Sequence, residues 1–488
     1  MASERPQREQ RFERRMSDAE ALMWNVEKDP WLNPSGGTMM LLDRPPDIDH
    51  FRAQIAAAVA NVPRLRERVV PGFGRFSPPT WKTDGEFNLD YHIRSVALPA
   101  PGSMRQLLDL VGQIYEDPYD RTRPLWMFYV IEGLEHGRAA LVWKIHHTVA
   151  DGIGAGRLAE GYLQRTRKAP KPPAADLDAV VAAAVAEDSS RQQGSSFAGS
   201  LLDTIAHSAR RQAGIARRTV GEVAAWGTDP LRALDAAGNA VRTIGQLRSQ
   251  LGGGGPASPD GLPSGSPIWR QRSRHRRLEV LSFSLEEAIA AAKALGGSLN
   301  DWFVTGAVNG VVRYHDARGV ELHSLNTSFI VSTRTDRAIG GNSFTPSRLT
   351  VPAGPMKADE RFGVISAVMQ AKRADVSGQG LMGAVAGVAN LLPTSIVTSV
   401  ARSRASKMDF VTSNLRGAKT RLYISGARVD GNHPFGPLAG TAFNLTMMSY
   451  AGGLDMGLLV DPVAIDHPED LRDHLDVAYR QLIDTATI

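Results

Sequence analysis

Lys144-Ile145-His146-His147-Thr148-Val149-Ala150-Asp151-Gly152 overlaps the end of an apolar run, Ala139 to Ile145, and its reading decides the fold. A second apolar run, Trp126 to Ile131, precedes it, and the turn-like Glu132-Gly133-Leu134-Glu135-His136-Gly137 separates the two, so both read as strands. Side chains alternate along a strand, which puts His147 on the side of Leu141, Trp143 and Ile145, and His146 on the side of Val142 and Lys144. The two imidazoles then have different surroundings and different jobs. His147 takes the more apolar side, where water can be excluded, and an imidazole with a reference pKa of about 6.5 is largely neutral at pH 7 and able to accept a proton. It is the candidate base for an attacking hydroxyl, a step to which a positioned base contributes about 10²- to 10⁴-fold. Asp151, four positions on, reads as support: a turn after the strand can return it to an arginine or to the local backbone and fix the histidine loop. Gly152, Gly154 and Gly156 permit tight turns or close ligand approach where the next helix starts.

Working outward, Phe51, Ile55, Val59 and Val62 repeat at three- and four-residue spacing and predict a helix over Asp47 to Asn61. Ser17 to Trp24 reads as an amphipathic start, and Ser103 to Tyr115 as another helix. Helices among strands mean α/β architecture. Composition changes at Lys168-Ala169-Pro170-Lys171-Pro172-Pro173 and again over Gly252 to Pro267, a Gly-, Pro- and Ser-rich stretch. These mark three parts: a domain over 1–167 carrying the histidine motif, a partly helical connector over 168–267, and a second domain over 268–488. Within the connector, Phe197 to Leu251 is rich in Ala and Arg and reads either as a surface helix on an anionic membrane or as a solvated linker helix. In the second domain, Ser284-Leu285-Glu286-Glu287 and Ser298-Leu299-Asn300-Asp301 carry helix-start signals, and Asn444 to Tyr450 with Leu454 to Val460 flank Ala451-Gly452-Gly453 as a hairpin.

At 488 residues, two domains sharing an interface are the default, with a cleft between them. A hydrophobic share of 42% beside 22% charged residues describes a globular chain with a real core. No run approaches the roughly 18 apolar residues of a bilayer span, so cytoplasmic residence is expected. With no cysteine there is no thiolate zinc site and no acyl-Cys intermediate. Lys and Arg outnumber Asp and Glu by 56 to 51, an excess suited to a phosphate-bearing ligand or an anionic surface and not requiring nucleic acid. A metal held by His146, His147 and Asp151 is disfavoured because neighbouring strand residues point apart. No Gly-x-Ser-x-Gly elbow or Gly-Lys-Ser/Thr phosphate loop is present, which leaves direct transfer without an acyl-enzyme.

These residues resemble the bacterial wax ester synthase/diacylglycerol acyltransferases, within the larger group of coenzyme A-dependent acyltransferases. The resemblance runs along most of the chain: Ser17 to Glu20, Pro63 to Arg68, Trp81, Phe87 to His92, Leu98 to Gly102, Pro124-Leu125-Trp126, and His146 to Gly152 as the family's His-His-x-x-x-Asp-Gly. It continues through Asn300-Asp301, Val331 to Arg334 with Gly341-Asn342, Ser413-Asn414, and Gly436-Pro437-Leu438 to Asn444, Thr446, Ser449 and Tyr450. It implies two chloramphenicol-acetyltransferase-like domains, a tunnel at their interface, acyl-CoA as co-substrate without a cofactor, a lipid alcohol as acceptor, and His147 as base. It also implies peripheral contact with the inner membrane or lipid bodies. Carried over by position, Asp151 meets an arginine, Arg66 as first choice and Arg334 as second. Asn300 then donates toward the oxyanion or holds the histidine loop, while the alternative is that Asn300 and Asp301 merely cap a helix. Pro124, Leu125 and Trp126 are expected to pack rather than react.

The chain departs from the family in three places that bear on the acceptor. Leu415-Arg416-Gly417-Ala418 follows Ser413-Asn414 where the family has Val-Pro-Gly-Pro, Ile330 replaces the usual proline before Val331-Ser332, and Pro34-Ser35-Gly36-Gly37-Thr38 stands in place of a Pro-Met-His-Val-Gly-like stretch. Two other readings remain: a condensation-type enzyme joining carrier-bound acyl groups, which shares the histidine motif, and a lipid-binding relative without turnover. The run Arg270 to Arg277 is read as meeting coenzyme A phosphates or a membrane, or as a solvated segment.

Overall fold

The computed structural model describes residues 13–72, 78–150, 152–193, 264–332, 344–376, 390 and 392–485. Asp151, Arg334 and the expected connector helix at Phe197 to Leu251 lie outside them. The first half runs α1 (Asp18–Val26), β1 (Ser35–Leu42), α2 (Ile48–Asn61), β2 (Glu67–Val70), β3 (Thr80–Thr83), α3 (Leu89–His92), β4 (Ile93–Ala97), α4 (Met104–Glu116), β5 (Trp126–Leu134), β6 (Arg138–His146), α5 (Gly152–Ala159) and α6 (Leu177–Gln193). The second half runs β7 (Arg277–Ser284), α7 (Leu285–Ala294), α8 (Leu299–Asp316), β8 (Ser324–Ser332), β9 (Phe344–Pro352), α9 (Ala358–Val376), α10 (Thr394–Ala405), β10 (Phe410–Arg416), β11 (Tyr423–Ile424), β12 (Ala427–Phe435), β13 (Phe443–Tyr450), β14 (Gly453–Val460) and α11 (Pro468–Thr485).

Local chemistry sets the helix starts. Ser17 and Ser103 close capping boxes with Glu20 and Gln106, and Asp47 caps α2 by accepting from His50 N at 2.9 Å. Phe51, Ile55 and Val59 then bury one face of α2 against Phe128 and Trp143 of β5 and β6. In the second half Trp302, Phe303 and Tyr479, from α8 and α11, pack on Leu445 and Leu458 of the hairpin strands β13 and β14.

One sheet has the order β11-β12-β1-β6-β5-β4 and the other β7-β14-β13-β10-β8-β9. Strands β11 and β12 therefore belong to the first sheet although they fall late in the chain. The division at residue 268 separates the chain but not the sheets, because β12 pairs antiparallel with β1, from Gly37 opposite Phe435 to Leu42 opposite Val429. A third core cluster closes the seam, with Leu107, Val111 and Val142 from the first half against Leu278, Phe435 and Leu459 from the second. Beside it Glu279, almost fully buried, is bracketed by Arg105, by Arg277 Nε at 3.5 Å and by Arg472 at 3.3 Å. Much of the basic run is spent here too. Arg270, Arg272 and Arg276 donate to carbonyls of Pro267, Met408 and His275, and Arg277 reaches Asp109 at 3.0 Å. Arg272, Arg276 and Arg277 thus bond nearby carbonyls and the seam, while Arg270, Arg274 and His275 are exposed.

Candidate active site

Strand β6 ends at His146, and the chain turns over His147 to Val149, a turn closed by Val149 N donating to His146 O at 2.9 Å. The two histidines separate as alternation predicts. Gly36 of β1 sits opposite Ile145, so the two residues share a face. A Cβ built on Gly36 would stand 3.4 Å from His147 Nε2, which places that imidazole on the Ile145 side. Burial differs from the expectation, however. His146 is completely buried and His147 only half-buried, because the strand stops one residue short of His147 and the turn lifts it from the sheet. Nδ1 of His147 is buried, so its exposure lies elsewhere on the residue.

His146 is held on every side. Its N–H donates to Leu125 O at 3.0 Å, and Thr148 N donates to Nδ1 at 3.1 Å, which makes Nδ1 an acceptor and leaves the proton on Nε2 in the neutral ring. Nε2 stands 3.2 Å from Glu27 Oε2, so the ring presents its N–H edge to the carboxylate. Burial pushes the Glu27 carboxyl up, but the hydrogen-bonding and electrostatic pull of His146, with Arg121 and Lys144, outweighs it and holds the group below the usual carboxylate range. Arg121 lies 3.6 Å from Glu27 and 3.3 Å above the Trp24 ring, and Trp24 meets His146 edge-on. Burial pulls the Lys144 ammonium down to about 8, against the pull of Asp117 and Glu27, and it donates to Ile114 O at 2.8 Å. Glu27 is the residue the sequence reading missed. It sits in another helix cap far along the chain, and no spacing links it to the motif.

The other wall comes from the second half. The Cβ position of Gly36 is 3.1 Å from Phe435 O and 3.7 Å from Pro437 Cδ, so the segment leaving β12 faces His147. Asn444 Nδ2 donates to Pro437 O at 3.0 Å, Gly436 N donates to Thr446 Oγ1 at 3.2 Å, and Thr446 Oγ1 donates to Asn444 Oδ1 at 2.7 Å. Tyr450 accepts from Leu422 N at 2.8 Å and donates to Val429 O at 3.1 Å, fastening the β11–β12 end. Much of the C-terminal sequence pattern thus holds one strand and one turn against the histidine.

The remaining predicted residues divide. Trp126 packs: its indole donates to Leu65 O at 2.7 Å and its ring stacks on His92 at 4.2 Å. Asp301 closes a capping box with Ser298, whose hydroxyl donates to it at 2.6 Å, and half-buried Asn300 lies in that same first turn of α8. The Arg66 guanidinium donates to Val59 O at 2.6 Å and Ala60 O at 3.0 Å, ending α2. Its expected partner Asp151 and the alternative Arg334 are outside the described residues, and Gly152 opens α5. A cavity of about 630 Å³ adjoins Trp24, walled by Leu22, Val69, Pro79, Leu392 and Val397 with Lys28 and Arg68 among its lining. Among the described residues no helix is long and apolar enough to cross a membrane.

Two joined α/β halves and a histidine pair where they meet define an acyltransferase. A model of the wax ester synthase/diacylglycerol acyltransferase catalytic domain matches residues 16–303, and the C-terminal domain of the same family matches 340–483. The chain belongs to that family. It is 28% identical over 468 residues, 95% of its length and 90% of the relative's, to a Mycobacterium tuberculosis protein assigned as a diacylglycerol O-acyltransferase. A second from that species is 27% identical, with 87% of this chain and 86% of the relative covered. Among solved structures, the wax ester synthase/diacylglycerol acyltransferase of Marinobacter aquaeolei VT8 shares the fold at TM-score 0.63 and 21% identity, covering 98% of this chain and 100% of that one. The first condensation domain of the calcium-dependent antibiotic synthetase shares it at 0.57 and 16%, covering 98% and 97%.

Proposed function

We propose that the chain moves a long-chain fatty acyl group from acyl-CoA to a diacylglycerol or long-chain alcohol, giving triacylglycerol or wax ester, with His147 as general base. The observation that carries this is the placing of His147 Nε2 beside Gly36, Phe435 and Pro437, where the two halves of an acyltransferase meet. Nε2 takes the proton of the acceptor hydroxyl as its oxygen attacks the thioester carbonyl. The tetrahedral intermediate then collapses, the C–S bond breaks, and the leaving thiolate collects the proton from the imidazolium. Asn300 is a candidate donor to the oxyanion, and Asp151 with Arg66 or Arg334 a candidate brace for the histidine loop. The cavity beside Trp24, within the roughly 300–1,000 Å³ usual for ligand sites, favours a lipid chain as ligand. A lipid acceptor is collected from a lipid phase, which favours peripheral contact with a membrane or lipid-body surface on the cytoplasmic side.

The test is release of CoA from palmitoyl-CoA offered with hexadecan-1-ol, dioleoylglycerol or amines. Turnover is expected with the first two, and His147→Ala should lower it by about 10²- to 10⁴-fold while palmitoyl-CoA still binds. Unchanged turnover in that variant would remove His147 as base, and turnover confined to carrier-bound amines would replace the acceptor class.

A further inference from the structure

Glu27 is a buried carboxylate that the acyl-transfer step does not use, and it stands against a histidine that the step does not use either. The Nε2 edge of His146 faces Glu27 Oε2 at 3.2 Å. On the other side of the ring, Nδ1 accepts from Thr148 N at 3.1 Å and lies 2.7 Å from the Thr148 hydroxyl. Val149 N closes the same turn on His146 O at 2.9 Å. His147 lies inside that turn, so the setting of the His146 ring fixes the main chain on both sides of it. The carboxylate is anchored in its turn: Arg121 lies 3.6 Å from Glu27 and donates to Trp24 O at 2.8 Å, which pins the end of α1 over the motif. A neutral imidazole carries one proton, and with Nδ1 accepting, that proton is on Nε2. In this fully buried ring, Glu27 is the oxygen placed to receive it.

We propose that Glu27 is a positioning residue for the general base: it holds His146 in one tautomer and one orientation, and His146, through Thr148, holds the turn that presents His147. The inference rests on the acyl-transfer reading and adds to it a residue from outside the histidine motif. It also gives the first histidine of the pair a task of its own, as part of the frame of the turn. Without an acceptor oxygen at Nε2 the ring can tilt, or move its proton to Nδ1, where it would oppose the N–H of Thr148. The turn then loosens, and a displacement of about 1 Å at a reacting group can cost on the order of 10²-fold in rate.

Two conservative variants of the full chain separate reach from charge, assayed by CoA release from palmitoyl-CoA with hexadecan-1-ol. Glu27→Gln keeps an oxygen at the same reach and gives up the charge, whereas Glu27→Asp keeps the charge beside Arg121 and Lys144 and withdraws the oxygen by about one bond. Glu27→Asp should lower kcat about 10- to 100-fold and leave the palmitoyl-CoA KM within about twofold, and Glu27→Gln should lie about fivefold or more above it in kcat. A role confined to charge or to stability predicts the opposite order, or equal kcat in the two folded variants. Either result overturns the proposal, and so does a loss that falls on KM alone. If Glu27→Asp does not melt cooperatively, Glu27→Gln decides: a loss in kcat of more than about tenfold overturns the proposal and a smaller one supports it. A parent protein that releases no CoA with any alcohol would sink the acyl-transfer reading itself, an outcome distinct from failure of the variants alone.

Discussion

His146 and His147 are neighbours in sequence with opposite fates, and the difference was legible because a strand sends consecutive side chains to opposite faces. Their burial was not legible, since it depends on where β6 stops and on residues far along the chain. Glu27 shows this best. Its carboxylate is held below its ordinary range by groups from β6 and the segment after α4, brought together only by folding. A carboxyl depressed in the folded state contributes stability above its unfolded pKa of about 4.3, and that contribution is lost as pH falls through the folded value. Glu27→Ala takes the nearby carboxylate from Arg121 and Lys144 and the partner from His146 Nε2, and should cost about 3 kcal/mol at pH 7. The gap from the parent should begin to close as the pH falls below about 4.3 and go on closing through the lower folded value. Urea melts at pH 7, 5 and 3 check the sign, and a gap that widens toward acid would contradict it.

At the scale of elements, the strong local signals were the readable ones. Ser17, Ser103 and Ser298 carry complete capping boxes, and the hairpin of β13 and β14 turns at Ala451 and Gly452. Strand β1 was not readable, because Ser35-Gly36-Gly37 has little strand propensity and is extended only because β6 and β12 pair with it on both sides. Nor were the contacts of the basic run before β7, in which Arg272, Arg276 and Arg277 bond carbonyls and the seam. Glu279 is the acidic centre of that seam, 2% exposed and shared by arginines of α4, β7 and α11. Glu279→Ala would remove the acceptor that three part-exposed arginines share, leaving them Asp109 and Asp473, and should cost about 1 kcal/mol. Glu279→Gln, which keeps an acceptor oxygen, should cost less. Denaturation midpoints of the two variants test this ordering, and equal small losses would show the arginines to be satisfied without Glu279.

For the whole molecule, the exchange of β11 and β12 into the first sheet makes the two halves one cooperative body. A first half alone would leave β1 an unpaired edge and expose Val142 at the seam, and a second half alone would carry β12 with only the two-residue β11 to pair against. A protease site inserted at Gly252 to Gly255 would cut the chain between α6 and β7, the last described element of the first half and the first of the second. After cleavage the two pieces should co-elute as one species in native buffer and melt in a single transition, because the β1–β12 pairing, the shared apolar seam and the Glu279 cluster all remain. They should separate only in denaturant. Transfer activity should survive the cut, since His147 and the Gly436–Pro437 turn that faces it come from different pieces but are held by the same sheet. Separate elution in native buffer would mean that the exchanged strands do not bind the halves, and the site between them would then lose its second wall.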